Sequence, residues 1–234
     1  MSQNEAHVLT IRPIARIRTD FPEKFGIPRQ AGLAETLRGE IVFEPEYRIE
    51  EALRGIEGFS HLWLIWGFSE NLERGWTPTV RPPRLGGNRR MGVFATRSPF
   101  RPNGLGLSCV RLLSVQKDER RGWILLVAGA DMLDGTPIYD IKPYLPYADC
   151  ISDAVGGFAP DADSRLEVNI PPALLDLLPE EKRDGFLSVL ANDPRPHYQD
   201  DPNRVYGMSF AGFQVRFSVS NGTLQVTELE RENA

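Results

Sequence analysis

Through the first 150 residues, strand-length apolar runs follow one another with almost no helix between them, and this limits the fold most. Residues 8–17, VLTIRPIARI, alternate. Leu9, Ile11, Ala15 and Ile17 fall on one face and Thr10, Arg12 and Arg16 on the other, as in a half-buried strand. Pro13 places that strand at an edge or bulge. Residues 38–43 read as a second strand. HLWLIWGF at 61–68 is a continuous apolar run that suits a strand buried on both faces. Residues 91–97, 106–116 and 123–133 complete about six strands, with DERRG as a hairpin turn between the last two. The only helical spacing is Ile49, Ala52, Leu53 and Ile56 within 48–59, which predicts one short helix. A doubly wound sheet needs a helix after nearly every strand, so a β-barrel or other closed sheet is expected.

Long loops separate these runs. FPEKFGIPRQAG, inside 18–37, and TPTVRPPRLGGNRR, inside 70–90, hold too much proline and glycine for regular structure. After residue 150 the pattern changes. Residues 151–164 form an Asp-, Gly-, Ala- and Pro-rich linker, and 165–234 a small α+β domain. That domain begins with one or two helices in PALLDLLPEEKRDGFLSVLAND. Three strands follow in VYGMSFAGFQVRFSVSNGTLQVTEL, the last two joined by a tight Asn221-Gly222 turn.

Charge is unevenly spread. The chain carries a net −5, yet residues 71–110 hold seven arginines (Arg74, Arg81, Arg84, Arg89, Arg90, Arg97 and Arg101) against the single acid Glu73. A basic loop in an acidic chain is either a solvated surface or a contact for phosphates. The two cysteines, Cys109 and Cys150, make no disulfide framework, and His7, His61 and His197 are scattered, so no metal cofactor is expected. The N-terminus lacks the pattern of a signal peptide, and the longest apolar run is too short to span a bilayer, so a cytoplasmic protein is expected.

Two segments are dense in candidate chemistry. In RPPRLGGNRRMGVFATRSPFRPNGLGLS, 81–108, arginines stand among prolines and aromatics. Its GLGLS lacks the third glycine and the strand–turn–helix setting of a dinucleotide site, so its glycines are read as allowing close backbone approach. In DMLDGTPIYDIKPYLPYAD, 131–149, Asp131, Asp134 and Asp140 either cap turn amides or face a cationic or hydroxyl-bearing ligand, and spacing leaves both open. His61 before a buried run, and Arg195 within DPRPHY, likewise read as structural or functional.

Taken together, IPRQ at 27–30, GFSHLWLIW at 58–66, the 81–108 and 134–149 segments and DPRPHY at 193–198 resemble the TrmO (TsaA-like) tRNA methyltransferases. The resemblance covers nearly all of 8–150 and returns near 193–230. It implies a six- or seven-stranded β-barrel that binds S-adenosylmethionine, a homodimer, and a C-terminal domain that helps to hold tRNA. The implied reaction is methylation of the 6-amino nitrogen of threonylcarbamoyladenosine at anticodon-loop position 37 of threonine tRNA. By the same resemblance Pro28, Arg29, Gln30, His61, Leu62, Arg97, Leu107, Asp134, Gly135 and Thr136 are cofactor contacts. Arg84, Arg89, Arg90 and Arg101 face tRNA phosphates or the threonyl carboxylate, and Arg195 and Tyr198 close the site. The nitrogen must lose a proton, for which Asp131, Tyr139 and Asp140 all remain candidates. The alternatives are a methyltransferase of another RNA or a small molecule, and a non-catalytic β-barrel that binds RNA.

Overall fold

A computed structural model describes residues 8–160, 164–195 and 201–232, apart from the side chains of 72–74. Strands β1 (Ala15–Arg18), β2 (Arg38–Phe43) and β3 (His61–Gly67) come first. A two-stranded ribbon follows, β4 (Thr79–Val80) with β5 (Met91–Gly92). Then come β6 (Leu105–Asp118), β7 (Gly122–Ala128) and β8 (Pro137–Pro143). Six of these strands pair antiparallel in the order β1-β2-β7-β6-β3-β8. The sheet closes where Ala15 and Arg16 of β1 meet Ile138 and Pro137 of β8. Closure leaves none of the six with an open edge. Ala15, Ile17, Ile41, Leu62, Leu64, Val110, Leu125, Val127 and Ile138 point inward and form the core.

Five expectations need correction. The stretch 91–97 is not a barrel strand: after Met91–Gly92 the chain turns through a 3-10 segment, Val93–Ala95. The sixth strand is β8, from the segment read as a functional loop, with Pro137 at its first residue, where a sheet tolerates proline. The helix expected over 48–59 is two 3-10 turns, Glu50–Leu53 and Ile56–Gly58, parted by Gly55 at φ 88° in the left-handed region. The first strand starts only at Ala15, and Leu9 and Ile11 are exposed, because Pro13 lacks the N–H a ladder requires. Finally, β3 is buried on alternate residues as far as Trp66, so one of its faces looks outward.

A short helix α1 (Pro146–Asp149) follows the barrel. The rest is β9 (Glu167–Asn169), α2 (Pro172–Leu175), α3 (Glu180–Ala191), β10 (Tyr206–Phe210), β11 (Phe213–Ser220) and β12 (Thr223–Arg231). They form a four-stranded sheet, β10-β11-β12-β9, in which β9 runs parallel to β12. Asn221 (φ 50°) and Gly222 (φ 78°) make the expected tight turn. The core of this sheet also takes in Phe21, Ala34 and Leu37 from the loop between β1 and β2. Phe21 stands edge-on to Phe210 at 5.6 Å, and Asp20 pairs with Lys182 of α3 at 2.7 Å. That loop, which joins two barrel strands, therefore packs into the core of the second sheet.

Candidate functional site

The site starts from a close approach of β3 and β6. Trp66 lies opposite Gly106, and a Cβ built on Gly106 would sit 2.3 Å from the indole Cε2. Glycine here lets the indole lie across the backbone of β6. Its Nε1 donates to Ser108 Oγ at 2.9 Å, and Ser108 Oγ donates to Asp131 Oδ1 at 2.6 Å. Ser108 is buried, and Asp131 lies just past the end of β7. Burial pushes the Asp131 carboxyl above its ordinary range. The Ser108 hydroxyl, the N–H groups of Asp131 itself and Ala31, and the charge of Arg97 pull the other way.

Arg97 draws in the next segment. Its Nη1 donates to Gln30 Oε1, and Gln30 Nε2 donates to the Arg29 carbonyl at 2.5 Å. Arg29 Nη2 in turn donates to the carbonyls of Asp193 (3.2 Å) and Arg195 (2.5 Å). Arg195 grips Asp193 with two bonds of 2.9 Å. Residues 29–31, 97, 108, 131 and 193–195 thus converge, although they lie far apart in the chain. The neighbouring Tyr139 is the extra residue of a β-bulge, since the β3–β8 register jumps from Ile65↔Asp140 to Trp66↔Ile138. Its ring lies over Gly67, where an added Cβ would come within 2.7 Å. The junction thus combines a partly buried carboxylate, an exposed arginine and an amide, flanked by aromatic rings. Such a set can hold a small ligand with a carboxylate and a cationic centre, and can accept a proton.

The model of the tRNA-methyltransferase O N-terminal domain matches residues 16–150, and that of the TrmO C-terminal domain matches 164–232. The chain belongs to the TrmO family. Within that family it is 44% identical over 228 residues to the tRNA (adenine(37)-N6)-methyltransferase of Escherichia coli K12, covering 93% of this chain and 96% of the relative. A relative from Pseudomonas aeruginosa, named as an S-adenosylmethionine-dependent methyltransferase, is 44% identical over 224 residues, 89% of this chain and 91% of its own length. A crystal structure of TrmO from Pseudomonas aeruginosa has a TM-score of 0.79 at 34% identity, covering 98% of this chain and 100% of that one.

The other residues singled out by the resemblance to TrmO occupy different places. Pro28 is buried beside Arg29. Asp134, Gly135 and Thr136 are tied to β1: Asp134 accepts from the Thr19 N–H and Arg18, Gly135 bonds Ile17, and buried Thr136 donates to the Leu133 carbonyl. Asp140 is half-exposed and paired with Lys142 at 2.8 Å. His61 shares a 2.9 Å hydrogen bond with Ser60 and stands edge-on to Tyr144. It lies at the far end of β3 from Trp66, about 16 Å along the strand. Leu62 is wholly in the core, whereas Leu107 is exposed on the outer face. On the ribbon Arg84, Arg89 and Arg90 are exposed, with Arg90 touching Thr79 at 3.3 Å. Arg101 binds the carbonyls of Thr96 and Ser98 and so shapes the loop that presents Arg97. Tyr198 lies outside the described residues. Sequence reasoning missed Trp66 and Ser108, although the Gly106-x-Ser108 spacing within GLGLS marked a close approach there.

Proposed function

We propose that this chain methylates the 6-amino nitrogen of adenosine 37 in tRNA with S-adenosylmethionine, and that its nucleoside is threonylcarbamoyladenosine in threonine tRNA. One observation carries the reading: in a chain of the TrmO family, a partly buried carboxylate, Asp131, faces Arg97 next to a ribbon of exposed arginines. The methyl donor, when bound, supplies a methyl group already activated on a sulfonium. The protein need only bind, align and exclude water. Arg97 and Gln30 suit the donor's carboxylate and ammonium, because a guanidinium fork binds carboxylates and an amide oxygen accepts from ammonium. Asp131 is the base: as the nitrogen takes the methyl group, its proton passes to this carboxylate. A carboxyl raised by burial is better suited to that work than Asp140, which is held by Lys142.

Arg84, Arg89 and Arg90 contact the phosphates of the anticodon loop. Trp76 and Phe94, both exposed at the base of the ribbon, offer rings on which unpaired bases stack. Position 37 is unpaired, so its base turns into the site at less cost than a duplex base. The working protein is a cytoplasmic homodimer, and its partner copy covers the outer face of β3 and β6, where Ile65 and Leu107 lie side by side. Such a copy would bring a second Leu107 and His61 to the assembly. Purified protein incubated with S-adenosylmethionine and threonylcarbamoylated tRNA should add one methyl to that nucleoside, read by mass spectrometry of the digest. Methylation of unmodified adenosine 37 alone would overturn the threonylcarbamoyl assignment, and no methylation of either would overturn the activity.

A further inference from the structure

We infer that Trp66 and Ser108 form a positioning relay that orients Asp131 for proton transfer, and that Gly106 exists to make room for it. The inference rests on Asp131 being the base proposed above. The direction of the relay follows from donor chemistry. An indole N–H only donates, so Ser108 Oγ accepts it at 2.9 Å. The single hydroxyl proton of Ser108 is then free to point only at Asp131 Oδ1, 2.6 Å away. That bond occupies one acceptor site of Oδ1 and fixes the rotation of the carboxylate that takes up the reaction's proton.

The relay sits where water cannot replace it. Ser108 is 2% exposed and Trp66 8% exposed. A buried hydroxyl that lost one partner would leave the other unsatisfied. Gly106 and Ser108 are on the same strand, two residues apart, so one permits the indole's path and the other receives its N–H. The groups facing the carboxylate from other elements are the Ala31 N–H and the guanidinium of Arg97. Arg97 attracts any carboxylate near it, whereas Ser108 sets which oxygen is engaged.

Ser108→Ala removes a donor that favours the ionised carboxylate. The acidic limb of the kcat profile should move to higher pH, and on that limb kcat should fall roughly tenfold for each pH unit the limb moves. The KM for tRNA should not change. Trp66→Phe keeps an aromatic side chain but loses the N–H with its five-membered ring, and should shift the limb the same way by less. Ser108→Thr keeps the hydroxyl and should restore the limb. Each variant is checked for native near-ultraviolet circular dichroism. Unmoved acidic limbs in folded Ser108→Ala and Trp66→Phe would overturn the relay, as would a fall in kcat without a limb shift. Asp131→Asn separates the two layers. If it retains full activity, the base assignment itself fails. If it is inactive while Ser108→Ala behaves as wild type, only the relay fails.

Discussion

Asp131 and Arg97 show how single residues divide stability from function. The Asp131 carboxyl is raised, first of all by burial, so the folded state holds its proton more tightly than the unfolded chain does. Such a group favours folding most below its unfolded pKa, and that preference is lost as pH rises through the folded value. At neutral pH its charge therefore burdens the fold. Asp131→Asn should cut methyl transfer by ~10²-fold or more. It should also raise the thermal midpoint at pH 7.5, and the gain should disappear as pH falls through the carboxylate range. A lower midpoint at pH 7.5 would contradict this account. Arg97 is exposed and donates to Gln30, so its removal should leave the fold intact. Arg97→Ala is expected to abolish S-adenosylmethionine binding by calorimetry, and unchanged affinity would reject the role.

At the scale of elements, the β4–β5 ribbon and β6 carry different duties. Arg84, Arg89 and Arg90 lie exposed in the segment between the two ribbon strands. Arg89→Glu together with Arg90→Glu should weaken tRNA binding roughly tenfold or more in a gel-shift titration and flatten its salt dependence. Cofactor affinity should be spared, since neither residue touches the Gln30–Arg97–Asp131 junction. Strand β6 instead depends on a missing side chain. Gly106→Ala would drive a methyl into the Trp66 indole, a fixed ring with no flexible end to move. About 1–3 kcal/mol of stability should be lost, read from the denaturant midpoint. The basic ribbon was legible in sequence because charge needs no partner to be counted. The role of Gly106 was legible only as a close approach, since the opposing ring belongs to a strand about forty residues earlier.

The molecule as a whole is held together by the loop between β1 and β2. Phe21 is fully buried among residues of the second sheet, while Arg29 and Gln30 of the same loop reach the site. Phe21→Ala should cost about 3–5 kcal/mol. Because the loop serves both units, cofactor affinity should fall as well, although Phe21 is not part of the junction. A stability loss with cofactor binding unaltered would show that the two units work independently.

The alternation of apolar residues and the scarcity of helical spacing were enough to establish a β-rich chain with a closed N-terminal sheet, an Asn221-Gly222 hairpin and an arginine-rich loop. Those features rest on local chemistry, which one strand or turn carries by itself. Tertiary structure decided which short apolar run completes the barrel. Residues 91–97 read as a strand and 137–143 as part of a functional loop, and only pairing with β1 and β3 selects the second. It also decided the site. Gln30, Arg97, Ser108 and Asp131 lie in four separate segments, and their shared meaning is a set of distances that no spacing along the chain encodes.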